Sequence, residues 1–497
     1  MDAGQVVPGT TAVVVGGGIS GLLAARELAL AGVRTTVLEA SADWGGCVGS
    51  HTVAGLTLDS GAESFATRST AVADLATDLG LEGEIVAPNP GGAWVQLPDG
   101  PRELPKTGVL GIPANPWDPE VRRSLGLAGT LRAALDVLLP ASLGTAAEAT
   151  SVADLVRRRM GRRVLERLVA PVVGGVHSAD PAELDVDMVA PGLRDGIRRH
   201  GSLAAAVSAQ RRGQGPAALT PGPGTRPAEP AKAGSAVAGL RGGMHTLVAA
   251  LVADLRKRGV TLLAGTRVDA VERALAGWRV SAGGRTYDAG LLVIAVEGPA
   301  AVGLLAGAVP ELADFRPAEG PDVSLVTLVV TCPDLDGAPR GTGVLVAPQS
   351  PGIRAKALTH ATAKWGWLAT RAGSGTHILR LSYGRSGDGV MAGQPLPGTG
   401  GDGAIPRSDE ELFHAALADA SALLAVAVTS GDVAGWDVVR WSGALPFASI
   451  GHQRRVAEVR TVCCREGTLA VVGGWLSGNG LAAIVADVPR EVRRLLS

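Results

Sequence analysis

The sequence predicts an α/β protein in which helices cover a mainly parallel sheet assembled from distant segments of chain. Three observations predict it. An apolar strand pattern, a glycine-rich turn and an apolar helix follow one another at residues 11–31. The same strand, turn and helix order recurs at 469–497, and strand and helix patterns alternate between the two ends. At 497 residues the chain exceeds what one core holds, so two or three domains are expected.

TAVVV (11–15) reads as a buried strand, residues 19–31 as a helix and 34–39 as a second strand, a βαβ beginning. Residues 110–201 are helix-rich, and RRRMGRRVLERLV (157–169) places apolar residues at helical spacing with arginines between them. Residues 210–238 are too rich in Pro and Gly to pack as an element and read as a mobile surface insertion. A glycine turn, an amphipathic helix and two short strands follow over 239–272. YDAGLLVIAV (287–296) reads as one apolar strand, 323–330 and 377–383 as further strands, and 409–428 as a helix. The strand at 469–473 leads through a glycine-rich turn into a terminal helix. The expected organisation is a nucleotide-binding domain from residues 1–75, 239–302 and 451–497, an α+β substrate domain from 76–110 and 303–450, a helical subdomain at 111–208, and a flexible insertion at 209–238.

Charge excludes some partners. The 46 basic and 47 acidic residues nearly cancel, which leaves no electrostatic footprint for nucleic acid. Cys47, Cys332, Cys463 and Cys464 form no CxxC, so neither a disulfide framework nor a zinc cluster is expected, and Cys463 and Cys464 read as small core residues of a strand. His177, His360 and His377 have no partner at ligand spacing, so no metal is expected. No apolar run is long enough to cross a bilayer, since 413–428 is interrupted by His414 and Asp419, and no signal-peptide pattern opens the chain. A cytoplasmic protein, soluble or peripheral to the membrane, is the expectation.

Gly16, Gly18 and Gly21 form GxGxxG between a strand and a helix. The first permits the tight turn, the second lets backbone approach a pyrophosphate, and the third lets helix and strand pack closely. Glu39 ends the second strand 18 residues after Gly21, where a carboxylate accepts ribose hydroxyls and disfavours a 2′-phosphate. Gly45 and Gly46, then Asp59, Gly61 and Glu63, and finally the turn at 473–481 suit further contacts with an extended dinucleotide. Trp44 could flank that ligand or simply pack.

Five segments carry a resemblance: LDSGAESFATR (58–68), PVVGGVHSADPAELD (171–185), LRGGMHTLVAAL (240–251), ATAKW (361–365) and WSGALPF (441–447). In this order, over nearly the whole chain, they resemble the oxygen-dependent protoporphyrinogen/coproporphyrinogen III oxidases, FAD flavoproteins of the amine oxidase superfamily with a glutathione-reductase-type (Rossmann-like) FAD domain. Within that family the Gram-positive bacterial branch oxidises coproporphyrinogen III, and the Arg-, Ala- and Gly-rich composition leans the same way. The resemblance implies FAD contacts at Gly16, Gly17, Gly18, Ile19, Ser20, Gly21, Glu39, Ala40, Gly46, Cys47, Gly61, Ala62, Glu63, Ser64, Val268, Gly474, Asn479, Gly480 and Leu481, with the Val268 backbone reading adenine. It implies no catalytic side chain. The flavin takes hydride from the macrocycle and O2 reoxidises it, until six electrons have left and three H2O2 have formed.

Four propionates on such a substrate call for basic groups at the cavity rim, and Arg68, Lys364 and Arg102 are the candidates, with His177 and Phe447 on the substrate wall. Three departures from the family pattern fall at that wall. His177 stands where Tyr or Phe is usual, Gly366-Trp367 replaces Pro-His, and Phe447-Ala448 replaces Gln-Tyr. Protoporphyrinogen IX as substrate, an amine or polyene oxidase, and a non-catalytic flavin- or porphyrin-binding paralogue stay open as alternatives. A tetrapyrrole and O2 are the implied partners, and contact with a membrane or with a neighbouring haem-pathway enzyme stays open.

Overall fold

Short apolar runs form central strands buried on both faces, and four distant stretches supply the five strands of one parallel sheet, whose edge strand Thr261–Leu263 is only partly buried. The computed structural model describes residues 9–106, 108–146, 150–213, 237–315, 317, 320–384, 408–443, 448–478 and 480–497. Strands β1 (Thr11–Val15), β2 (Arg34–Leu38), β3 (Thr261–Leu263), β4 (Leu291–Ile294) and β5 (Leu469–Val471) pair in parallel in the order β3-β2-β1-β4-β5. Helices α1 (Ile19–Leu30) and α2 (Leu481–Leu496) cover one face together with the helix His245–Lys257, and Leu22, Leu28, Leu247 and Val488 fill the layer between. A three-stranded antiparallel meander and the helix His452–Glu466 cover the other face around Trp278.

A second sheet has seven strands in the order Val433–Trp441, Val323–Thr331, Thr376–Tyr383, Ala357–His360, Gly343–Val346, Ala93–Leu97 and Gly100–Glu103, antiparallel except where 343–346 meets 93–97. One of its faces buries Leu358, Leu379, Leu381 and Tyr383 against the helix Asp409–Leu424. The opposite face carries Leu345, Ala357, Thr327 and Arg380, and it looks toward the nucleotide-binding half. A helical layer between 119 and 213 has its own core around Leu155, Val164 and Ile197. Its anchor is Arg159, fully buried, which bonds Asp136 at 2.6 Å and the carbonyl oxygens of Pro140, Leu143, Asp136 and Gly201.

Several sequence expectations change. The apolar stretch 287–296 is two strands: Arg285–Ala289, with alternating burial, closes the meander, and after Gly290 the fully apolar Leu291–Ile294 joins the parallel sheet. Cys463 and Cys464 lie on the helix His452–Glu466, which turns Cys463 inward with Val459 and leaves Cys464 exposed. Helix 157–169 is broken at Gly161, whose φ of +91° ends one helix and starts another. The helix begun at Asp409 stops at Leu424, where Ala425 turns left-handed. The Pro/Gly-rich segment begins only after the helix Leu203–Gly213 and ends before the strand Val237–Leu240, and 214–236 lie outside the described residues.

Candidate functional site: a dinucleotide crevice

The carboxyl ends of β1 and β4 bound a crevice where the sheet order reverses, the place at which open α/β sheets bind ligands. Gly16 leaves β1 with φ +103°, and a Cβ there would lie 2.6 Å from the Ala295 carbonyl oxygen. A Cβ at Gly21 would overlap the Gly16 carbonyl oxygen, so α1 sits directly against the turn. At Gly18, by contrast, nothing lies within 4 Å. Gly18 caps α1 without a side-chain bond, and no acid stands in the first turn, so the N–H groups of Ile19 and Ser20 meet open space with the positive end of the helix dipole behind them.

Glu39 follows β2, and its carboxylate is already oriented. It accepts from the Gly17 N–H at 2.6 Å and from the Ser41 N–H at 2.7 Å, while the Glu39 N–H donates to Leu263 O at 2.9 Å. Thr266 N–H donates to Glu39 O at 2.7 Å, which brings the start of the Val268 strand beside it. Two ring atoms of Trp44 lie 2.5 Å from where a Gly17 Cβ would stand, so Trp44 packs on the turn. Gly45 N–H donates to Gly17 O, and Ala62 N–H to Cys47 O at 2.8 Å; Gly61 presses so closely on Cys47 that a Cβ would overlap its carbonyl oxygen. These contacts hold residues 45–47 and 61–62 beside the turn after β1. At the other wall of the crevice Gly474 opens a short helix after β5, and Gly480, with φ +116° and nothing within 4 Å, caps α2 without a side-chain bond ahead of Leu481. Asn479 lies outside the described residues. Two uncapped helix N-termini facing open backbone, with a held carboxylate between strands, fit the phosphates and ribose of a dinucleotide.

The substrate-side candidates are placed differently from one another. Lys364 does not project as a free cation: its ammonium pairs with Glu63, which also faces Arg380 at 3.7 Å. Arg380 in turn donates to Gly61 O. All three side chains are largely buried. Burial opposes ionisation of Glu63, and the two cations outweigh it, holding the carboxyl below its ordinary range. Sequence reading missed Arg380; the period-2 pattern of 377–383 puts it opposite the Leu379 and Leu381 face and could have found it. His51 reinforces the same seam, with Nδ1 2.6 Å from Asp437.

Arg102 lies on the far edge strand, where its guanidinium donates to Pro101 O at 2.8 Å and faces Asp99 at 3.7 Å. Four strand spacings, about 19 Å, separate its strand from that of Arg380, so the two do not converge. Arg68 is exposed. His177 ends the helix Ala170–His177, which packs through Gly175 onto Leu345 of the sheet face carrying Arg380. Burial pushes its imidazole down to about 4, so it is neutral. Gly366 is exposed beside Asn89, and Phe447 lies outside the described residues. His360 and His377, unconnected in the sequence reading, meet across neighbouring strands at 3.0 Å, and His377 leans on Asp336 at 3.1 Å, on the sheet face away from this seam.

Comparison with known proteins identifies the family. The chain matches the flavin containing amine oxidoreductases over residues 19–485. It is 31% identical to the coproporphyrinogen III oxidase of Mycobacterium tuberculosis, covering 97% of this chain and 96% of that one, and 30% identical to that of Mycobacterium leprae, covering 97% of each. Among solved structures, a "putative protoporphyrinogen oxidase" from Exiguobacterium sp. 255-15 superposes with a TM-score of 0.78 at 24% identity, over 97% of this chain and 98% of that one, which shows the shared fold. The chain belongs to the flavin-containing amine oxidoreductase family, and its cofactor is FAD.

Proposed function

We propose that the protein is an FAD-dependent coproporphyrinogen III oxidase, removing six electrons from its substrate and passing them to three O2 to give three H2O2. The observation that carries this reading is the identity, over nearly the full length, to oxidases of that name. When bound, the flavin supplies the electron-accepting chemistry. The chain's own residues bind and orient. In this reading the N–H groups of Gly18, Ile19 and Ser20 hold pyrophosphate oxygens, Gly16, Gly17 and Gly21 shape the turn, and Glu39, fixed by Gly17 and Ser41, accepts ribose hydroxyls beside Ala40. Val268 borders the adenine, and Gly46, Cys47, Gly61, Ala62, Glu63 and Ser64 line the flavin side, facing Gly474, Asn479, Gly480 and Leu481. The Glu63–Lys364–Arg380 cluster fixes that wall against the seven-stranded sheet. Of the three basic candidates for propionates, Arg68 retains an exposed guanidinium, whereas Lys364 and Arg102 are engaged.

Anaerobic mixing of holoprotein with coproporphyrinogen III and, separately, protoporphyrinogen IX tests this. Coproporphyrinogen III should bleach the flavin band faster, and admission of air should restore the band with porphyrin fluorescence. Faster bleaching by protoporphyrinogen IX would reassign the substrate, and no bleaching by either would reject a porphyrinogen oxidase.

We further propose that the helical layer rests on an anionic membrane surface. Among the described residues no helix is long and apolar enough to cross a membrane. Leu127, Leu131, Leu135 and Leu138, half to three-quarters exposed, nevertheless recur at helical spacing on one stretch, with Val137 beside them. Arg122 and Arg123 are exposed in the turns before Gly126, where the chain kinks; Asp118 and Glu120 precede them, and the acid among the leucines, Asp136, is buried. That combination suits anionic lipid. Vesicles containing phosphatidylglycerol should sediment the protein, less so at high salt, and Leu131→Gln with Leu138→Gln should weaken this at least about fivefold. Equal binding to neutral vesicles or an unaffected double variant would reject the surface.

A further inference from the structure

The chain that leaves β4 borders the crevice. A Gly16 Cβ would lie 2.6 Å from the Ala295 carbonyl oxygen and 3.0 Å from Val296 Cγ1, so residues 295–296 lie against the turn after β1. Glu297 comes next, and it is exposed. Its Oε2 atom lies 2.9 Å from where a Gly443 Cβ would stand. Gly443 closely follows Trp441, whose indole N–H donates to Ser60 O at 3.0 Å, next to Gly61. From the other side, burial raises the Cys47 thiol above its ordinary value, and the Glu297 charge raises it further. The carboxylate therefore stands among three segments, 45–47, 295–298 and 441–443, where the nucleotide-binding half meets the end of the seven-stranded sheet. Its exposure means that the space it reaches is open.

Local structure does not account for this carboxylate. Glu297 is the N-cap of the helix Gly298–Leu305, where an acid ordinarily accepts from the N–H groups of the first turn. It makes no such bond, and Pro299 removes one of the donors. Other acids of the crevice are held by the protein: Glu39 by Gly17 and Ser41, Asp59 by Met244 and His245, and Glu63 by Lys364 and Arg380. The Glu297 side chain has no hydrogen bond or ion pair among the described residues. A charge left uncompensated in a cleft with low-dielectric walls acts on whatever fills the cleft more strongly than a charge on an open surface does. The N–H groups that suit phosphates lie at the start of α1, whereas Cys47 and Gly61, which flank Glu297, belong to the side read as the flavin side.

We propose that Glu297 stands opposite the flavin ring and lowers its reduction potential, favouring the oxidised cofactor and its reoxidation by O2. The inference rests on FAD lying in this crevice with its ring on the Cys47 and Gly61 side. Two-electron reduction with uptake of one proton adds one negative charge to the ring, and a carboxylate beside it opposes that charge. Glu297→Gln keeps the size of an exposed side chain and removes only the charge. In the variant holoprotein the two-electron equilibrium should shift about tenfold toward reduced flavin, a rise of about 30 mV measured against a reference dye. The dissociation constant of oxidised FAD, whose ring is neutral, should stay within about threefold of wild type. The difference in potential should shrink at high salt. Glu458→Gln, which removes an exposed acid on the helix His452–Glu466, should leave the potential unchanged. An unchanged potential in Glu297→Gln, or an equal rise in Glu458→Gln, would overturn the proposal. FAD affinity raised about tenfold with no change in potential would place the carboxylate opposite the phosphates and overturn it as well. Wild-type apo-protein that fails to bind FAD at all would reject the cofactor reading instead.

Discussion

Gly21→Ala is expected to yield protein with little or no bound FAD and a thermal midpoint well below wild type. The added Cβ would overlap the carbonyl oxygen of Gly16, a backbone atom that cannot rotate away, so α1 must move off the turn. Overpacking of this kind costs about 1–3 kcal/mol, and here it also displaces the N–H groups that face the crevice. Gly18→Ala makes the useful contrast. Its φ of −66° suits alanine and nothing lies within 4 Å, so the apo-protein should unfold at the wild-type temperature. The methyl group would project into the space assigned to pyrophosphate, so FAD affinity should fall at least about tenfold. Flavin-to-protein ratio and thermal melts of the two variants check both statements. Wild-type FAD affinity in Gly18→Ala would place the phosphates elsewhere.

Glu63→Ala should be the most damaging single change at the seam between the two sheets. It leaves Lys364 and Arg380 buried without their shared carboxylate, a situation that costs about 3–5 kcal/mol when one partner of a buried ion pair is removed. Lys364→Met should cost less, because Arg380 remains to balance Glu63. Denaturant melts of the two variants give the comparison, and a Glu63→Ala loss within ~0.5 kcal/mol would show that the cluster is solvated. The pH dependence follows from the depressed carboxyl. Between the ordinary value of 4.5 and the lower folded value, the unfolded chain binds a proton at Glu63 that the folded chain does not. The cluster's contribution is therefore complete above about pH 4.5 and is lost as pH falls through the folded value. Glu63→Gln should remove this part of the acid limb, and an unchanged profile would assign it to other carboxyls.

The beginning of the fold was legible because local pattern and tertiary role coincide there. TAVVV and the helix after Gly18 are apolar almost throughout, and both are buried almost throughout. The errors arose where hydrophobicity was read without its period. YDAGLLVIAV looks uniformly apolar, yet its first half alternates and its second does not, and a single glycine separates two sheets. Cys463 and Cys464 suggested a strand because the pair is small and apolar; the helical repeat of Val456, Val459 and Val462 was the better guide.

The candidate site divides in the same way. The glycine turn and Glu39 are close in sequence and close in space, so spacing alone brought them together. The Glu63–Lys364–Arg380 cluster joins three segments far apart in the chain, and Lys364 read in isolation looked like a rim cation. What the sequence lacks is the partner: a charge's role depends on which opposite charge the fold places beside it. His360 and His377 make the same point, since strand pairing and not sequence spacing puts them in contact.

The order in which the parallel sheet recruits its strands has a consequence for biosynthesis. β1 at Ala12 pairs with Leu291, and β4 at Leu292 pairs with Leu469, so the sheet is built from contacts of very high sequence separation. Such topologies fold slowly, because loop-closure entropy is spent before pairing returns it. Elongation at about 5–20 residues per second means that β4 waits roughly ten seconds or more for β5 to be made. During that interval Leu291–Ile294 presents an unpaired apolar edge, the kind of surface on which nascent chains associate. Chaperone demand and yield during expression should therefore depend on the last strand to be translated more than on the glycine turn made first.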